Sequence, residues 1–254
     1  MKVGFVGAGR IGQALIQGLL TAGMNNNDIM VLQSQHATAQ KVAEKYQLQL
    51  ADSYSDLNFS DVLIIAVPAK ALADVMDHLK TSYHGIIVST SGGDLKQINA
   101  QLPVDATFAK AVPNTPVKLD SGITAVSFIE TESQANQDLV TDLFKKLGQV
   151  YVVPENLLGI YGTIAGCTPA FIDILMEALS DAAVMNGINR AQSYQIITQM
   201  LLGTAQLAQA SGKHPGELKD EVTTPGGSTI RGVAKLEETG FRNALIQAVK
   251  AANE

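Results

Sequence analysis

Gly7, Gly9 and Gly12 stand in a G-x-G-x-x-G spacing directly after the apolar residues 3–6, where a segment begins that carries Ile11, Ala14, Leu15 and Leu19 at helical intervals. Strand, glycine turn and helix in that order make a phosphate cradle. Gly7 permits the tight turn, Gly9 lets the backbone approach a pyrophosphate, and Gly12 lets the helix lie close on the strand. The helix start adds N–H donors and a positive dipole end. With Ala8, Arg10 and Ile11 these residues form the candidate cofactor-binding turn. About 20 positions on, the next strand would end in an acidic residue if it had to hold a free ribose 2′-hydroxyl. Here the order is Leu32-Gln33-Ser34-Gln35-His36, without a carboxylate. Ser34 and Gln35 can hydrogen-bond a 2′-phosphate without repelling it, and Arg10 or Lys41 can add charge. NADP(H) is therefore the expected cofactor, with NAD(H) as the alternative.

Two further segments could carry chemistry. Ala111-Val112-Pro113-Asn114-Thr115-Pro116 leaves a strand and turns sharply, since each proline pushes the residue before it out of the helical region. In an open α/β sheet that address, beyond a strand's carboxyl end, is where ligands sit; a rigid connector would read the same way. Thr223-Thr224-Pro225-Gly226-Gly227-Ser228-Thr229-Ile230 places hydroxyls around a Pro-Gly-Gly turn that leads into a helix. Such a start can bind a carboxylate, and it is equally an ordinary capped helix.

The elements that must position these residues follow from periodicity. Candidate strands lie at 2–6, 29–32, 62–67, 86–89, 107–112, 123–128 and 149–153, alternating with helical segments. That is the pattern of a parallel sheet wound by helices, an α/β Rossmann-type domain over residues 1–153. The run 62–67 is apolar without alternation, as a central strand buried on both faces should be. From 154 to 254 only helices are expected, an all-α domain. Residues 169–185 place Phe171, Ile172, Leu175, Ala178, Leu179 and Ala182 on one broad face, with Asp173, Glu177 and Asp181 opposite. A second apolar helix at 194–210 leaves more apolar surface than so short a bundle can bury, which predicts dimerisation through this half.

Composition narrows the function classes. The chain has 254 residues, is 46% hydrophobic and carries a net charge of −6, so a large core is available and no basic tract offers a hold on nucleic acid. Its single cysteine, Cys167, permits no internal disulfide and reads as a small packed residue. The four histidines are scattered, so no metal site is expected. The longest apolar run, 62–69, is too short to cross a bilayer, and no signal peptide is visible. A cytoplasmic protein without a membrane partner is the expectation.

Together, Pro113-Asn114-Thr115-Pro116, the segment from His214-Pro215 to Asp220, the P-G-G-S-T-I core at 225–230, Gly240-Phe241-Arg242 and the closing helix 244–252 make the whole chain resemble the pyrroline-5-carboxylate reductases, which complete proline biosynthesis. The resemblance implies a Rossmann domain, a helical domain that interlocks in a homodimer, and dimers that assemble in some members into rings. The active site would lie between the nucleotide domain and helical segments partly from the partner subunit. It also implies reduction of the C=N bond of a small imine acid, 1-pyrroline-5-carboxylate, to L-proline. Residue by residue, it makes Thr224, Gly226, Gly227, Ser228 and Thr229 the substrate-binding loop, with Thr229 catalytic beside the imine nitrogen. Pro113 and Asn114 would border the nicotinamide, and Ala66, Val67 and Pro68 would line the cofactor cleft.

The chain departs from the family in four places. Ala66-Val67-Pro68-Ala69-Lys70 stands where A-V-K-P is usual, Lys110 where arginine is usual, and Ala165 to Ala170 read A-G-C-T-P-A in place of S-G-S-G-P-A. Arg231, after the substrate loop, could clamp a carboxylate bidentately or point to solvent. These changes keep three alternatives open: another cyclic imine, a hydroxyacid dehydrogenase, and a non-catalytic paralogue that binds NADP(H). The hydroxyacid enzymes use a lysine that residues 159–171 lack.

Overall fold

Short β-branched runs and amphipathic segments alternate through the first two-thirds of the chain, and they fold in that order in the computed structural model, which describes residues 1–34 and 37–254. The elements are β1 (Val3–Val6), α1 (Arg10–Thr21), β2 (Ile29–Leu32), α2 (Thr38–Tyr46), β3 (Gln49–Ala51), β4 (Val62–Ile65), α3 (Leu72–Leu79), β5 (Ile86–Ser89), α4 (Leu95–Asn99), β6 (Thr107–Pro113), β7 (Gly122–Ser127), α5 (Gln134–Lys145), β8 (Gly148–Val152) and α6 (Leu158–Gly162). A π-helical turn, Thr163–Cys167, follows. Then come α7 (Thr168–Met185), α8 (Arg190–Ser211), α9 (Pro215–Glu221), α10 (Ser228–Glu238) and α11 (Phe241–Asn253). Two compact units result, Met1–Gly166 and Cys167–Glu254.

The strands of the first unit form one 8-stranded sheet in the order β3-β2-β1-β4-β5-β6-β7-β8. The run expected to be central is β4, flanked by β1 and β5, and all four of its residues are buried. Its pleat divides the core. Val62 and Ile64 pack with Leu15, Ile16 and Leu19 of α1 and with Leu143 and Phe144 of α5. Leu63 and Ile65 face Leu72, Val75, Met76 and Leu79 of α3, together with Tyr83 and Phe108. Helices on both faces explain the apolar run, since neither face meets water. Each such side chain contributes about 1.5–3 kcal/mol relative to exposure.

Three features depart from the sequence expectation. The edge strand β3 was not foreseen, because three residues of pattern half-buried, exposed, buried give no periodicity. β7 runs antiparallel to β6, with Lys110 opposite Ser127 and Pro113 opposite Thr124, so the sheet is parallel-dominated and not wholly parallel. Apolarity encodes burial and carries no strand direction. Third, β4 ends at Ile65, which leaves Ala66 and Val67 in the turn beyond the sheet.

Residues 154–166 belong to the first unit, where Leu158 packs with Val153 and Ala125. In the second unit α7 and α8 form a helical hairpin pinned by a buried pair, Ser180 Oγ and Ser193 Oγ 2.5 Å apart, with Arg190 Nη1 donating to Ser180 Oγ at 2.9 Å. Ile172, Ile174, Met185, Ile196, Met200, Leu202 and Leu207 stay exposed on these helices. Residues Glu155–Met185 form a continuous helical stretch of 31 residues with mean hydropathy 1.4, long and apolar enough to cross a membrane by length and composition. Asp173, Glu177 and Asp181 punctuate α7, so no uninterrupted apolar run marks it in the sequence. Carboxylates at those positions would be costly in a bilayer.

Candidate functional site

The glycine turn has the geometry its spacing promised. Gly7 sits at φ +102°, and a Cβ there would lie 2.5 Å from the Ala66 carbonyl oxygen; a Cβ on Gly12 would run into the Gly7 carbonyl oxygen. Around Gly9 the space is open, with no heavy atom within 4 Å of an added Cβ. Gly9 is the N-cap of α1 in extended conformation, and among the described residues no side chain caps the helix start. By contrast α4, α5 and α8 are capped by Asp94, Ser133 and Asn189. The first turn of α1 therefore presents its N–H groups and dipole end to open space, the arrangement that takes a phosphate. Ala8 is buried, Ile11 packs against the core, and Arg10 is exposed. This cradle fits the pyrophosphate of a dinucleotide.

Beside it, at the carboxyl ends of β1, β2 and β4, lies a cavity of about 370 Å³ lined by Gly7, Ser34, Asp52, Ser53, Tyr54 and Val67 among others. Ser34 shares a cavity with Gly7 and Val67, while Gln35 lies outside the described residues. Asp52, Ser53 and Tyr54 were missed because they follow the unforeseen β3. Asp56 organises them: its Oδ2 accepts from the backbone N–H of Asp52 at 3.0 Å, and from the Ser53 N–H at 2.9 Å and hydroxyl at 3.0 Å. Those bonds, the Ser53 ones foremost, hold the Asp56 carboxyl below the usual carboxylate range. Tyr54 stacks on His78 with centroids 4.4 Å apart, and burial, with Asp74 nearby, raises its hydroxyl above the ordinary tyrosine value.

The turn holding Ala66, Val67 and Pro68 is fixed from the loop after β5. Ser91 Oγ donates to the Val67 carbonyl at 2.5 Å and Thr90 Oγ1 to the Ile65 carbonyl at 3.1 Å. Hydroxyl spacing in Ser89-Thr90-Ser91 was the available signal. Beyond β6, Pro113 is buried and Asn114 is tied by both ends of its carboxamide: Nδ2 donates to the Ala165 carbonyl at 3.0 Å and Oδ1 accepts the Ile123 N–H at 2.8 Å. Lys110 forms an ion pair with Glu155 at 2.8 Å, and the same carboxylate oxygen accepts the Leu95 N–H at 3.2 Å.

In the second unit the Pro-Gly-Gly segment is a turn closed by Gly227 N–H donating to the Thr224 carbonyl at 2.9 Å, with Gly226 at φ +72°. Gly227 then caps α10, and among the described residues no side chain caps it. Ser228 and Thr229 are exposed in the first turn. As at α1 the helix starts on a glycine cap, but here Thr224 Oγ1 crowds the place a Cβ on Gly227 would take, and hydroxyls follow in place of glycines. Arg231 folds back to donate from Nη1 to the Gly226 carbonyl at 2.6 Å, which braces the loop from within. Among the described residues no three His, Cys, Asp or Glu side chains are grouped to hold a metal.

Comparisons with known proteins place this geometry. Residues 155–254 match the family described as pyrroline-5-carboxylate reductase dimerisation, and residues 2–93 match that described as NADP oxidoreductase coenzyme F420-dependent. The chain is 33% identical to the pyrroline-5-carboxylate reductase of Synechocystis sp., over 99% of this chain and 96% of the relative. It is 32% identical to that of Escherichia coli, over 98% and 94%. Among solved structures, Plasmodium falciparum pyrroline carboxylate reductase with NADP bound superposes with a TM-score of 0.85 at 26% identity, covering 100% of this chain and 95% of that one.

Proposed function

The chain belongs to the pyrroline-5-carboxylate reductase family, and from that premise we propose that it reduces the C=N bond of 1-pyrroline-5-carboxylate to give L-proline. The observation that carries the reading is the pair of glycine-capped helix starts without a side-chain cap, one in each unit, at α1 and α10. One suits a pyrophosphate and the other a carboxylate, the two anions this reaction must hold. Bound NAD(P)H supplies the hydride.

The chain's own residues bind and orient. N–H groups at the start of α1 would hold the pyrophosphate of NAD(P)H, Ala66, Val67 and Pro68 would line its cleft, and Pro113 would border the nicotinamide. Thr224, Gly226, Gly227, Ser228 and Thr229 hold the substrate carboxylate, and the Thr229 hydroxyl stands beside the imine nitrogen to guide its proton. Arg231 keeps the loop in shape through the Gly226 carbonyl. No nucleophile is needed, because hydride attack on an iminium carbon asks only for position and charge complementarity.

NADPH is the preferred cofactor in this reading, since β2 ends without a carboxylate and Ser34 lines the adjoining cavity. The enzyme works as a homodimer through its C-terminal helices, whose exposed apolar side chains the partner covers, with rings of dimers as the higher assembly and the cytoplasm as its location. Steady-state oxidation of NADPH, with NADH in parallel, tests this on purified protein given 1-pyrroline-5-carboxylate. Turnover on the order of 1–1000 per second is expected. Thr229→Ala should lower kcat far more than NADPH affinity, and unchanged kinetics would remove its role. NADPH binding without turnover would shift the reading to another imine acid or to a non-catalytic paralogue.

A further inference from the structure

Lys110, Val112 and Asn114 alternate along β6 and its extended continuation, so all three side chains leave the same face. Each meets a successive point of the segment that follows β8. Lys110 pairs with Glu155 at 2.8 Å. Val112 Cγ1 lies 3.0 Å from where a Cβ on Gly162 would stand, so α6 sits directly on the strand. Asn114 Nδ2 reaches the Ala165 carbonyl at 3.0 Å. The last rung grips the π-helical turn Thr163–Cys167, a rare conformation frequently found at functional sites. Asn114 is only 7% exposed, and its backbone N–H and Oδ1 both pair with Ile123, at 3.1 and 2.8 Å.

We propose that Asn114 is a positioning residue for imine reduction, acting by clamping the π-helical turn through the Ala165 carbonyl at the carboxyl end of β6. The proposal rests on the reductase reading above. Both ends of the carboxamide pair with the protein's own backbone, so the side chain acts on the site through the turn it holds. Asn114 stands at the same carboxyl end of the sheet as Gly7 and the Ala66–Pro68 turn, since β1, β4, β5 and β6 run parallel. A shift of about 1 Å in such a segment costs on the order of 100-fold in rate.

Asn114→Asp tests this selectively. The substitution keeps an oxygen for the Ile123 N–H but sets a carboxylate oxygen against the Ala165 carbonyl. Protonation restores a donor, and burial raises the pH at which that happens. The other charged groups on this face of β6, Lys110 and Glu155, pair with each other. Rates are expressed per NADPH-binding site from fluorescence titration, so a misfolded fraction does not enter. The expected result at pH 8 is kcat lowered about 10- to 100-fold with NADPH Kd within about threefold of wild type. The deficit should shrink at least about fivefold at pH 6 as the new carboxyl gains its proton. Asn114→Ala should share the loss without the pH-dependent recovery. Loss of NADPH affinity in step with kcat, or a deficit unchanged with pH, overturns the clamp. A wild-type enzyme that does not oxidise NADPH with the imine fails the reductase reading, and the proposal falls with it.

Discussion

Replacing Gly9 and Gly7 by alanine separates ligand space from fold space within three residues of one another. At Gly7 the methyl would meet the Ala66 carbonyl oxygen at 2.5 Å and carbon at 2.7 Å, both backbone atoms, from a φ of +102°. The backbone conformation costs about 1–3 kcal/mol and the forced shift about as much again. Gly7→Ala should therefore lose about 2–6 kcal/mol. At about 2–4 °C per kcal/mol for a chain of this size, Tm falls by roughly 4–24 °C. At Gly9, φ −71° and ψ −166° are open to any residue and nothing lies within 4 Å. Alanine there gains about 0.4–1 kcal/mol from a stiffer unfolded chain and gives back a similar amount as a poorer N-cap. The net change is within about 1 kcal/mol, and Tm should hold within about 4 °C. Affinity should respond differently, because the methyl occupies the approach to the helix N–H groups. NADPH Kd is expected to rise at least about tenfold, or about 1.4 kcal/mol. Thermal melts and NADPH fluorescence titration on the two variants read both quantities. If Gly9→Ala binds NADPH as wild type does, the pyrophosphate does not sit on this turn and the site is misassigned.

Three other outcomes follow from the geometry. Asp52 shares the cavity with Ser34, so Asp52→Asn should remove a repulsion of about 0.5–1 kcal/mol and raise the NADPH-over-NADH preference by roughly two- to fivefold; an unchanged ratio would place the 2′-phosphate elsewhere. Burial pushes the Tyr83 hydroxyl up to about 12, so the folded state keeps this proton where the unfolded chain has lost it. Its contribution is complete below pH ~10 and drains away between pH ~10 and ~12, about 2–3 kcal/mol in all, and Tyr83→Phe should flatten that part of the stability profile measured in urea. In a Ser180→Ala, Ser193→Ala cycle the coupling should be about 1 kcal/mol, and additive singles would show that the hydroxyls do not act as a pair.

What the sequence disclosed about this protein depended on whether a residue's role lies in its own conformation or in a partner far along the chain. Gly7 and Gly12 were legible because a turn and a close approach constrain residue type locally. So was β4, whose unbroken apolarity reflects burial on both faces. The reversal between β6 and β7 was hidden, since either direction buries the same side chains. Asp52 and Tyr54 were hidden behind a strand too short to show a period. Asn114 was singled out for its place beyond a strand, yet its partners at Ile123 and Ala165 are tertiary and no local spacing announces them. The same holds for Ser91 at the Val67 carbonyl and for Arg231, which chose a carbonyl in its own loop.

The apolar side chains left bare on α7 and α8 bear on how the molecule is made and how it behaves when dilute. Met1–Gly166 carries its own sheet and two-sided core and emerges first in synthesis, so it has what it needs to condense while the remainder is still being made. The segment that follows keeps Ile174, Met185, Ile196 and Leu207 uncovered, and for it a second chain is part of the solvent it requires. Its persistence should then track protein concentration through mass action. Below the dissociation constant of the dimer, the first unit would remain intact while the helices of the second loosened.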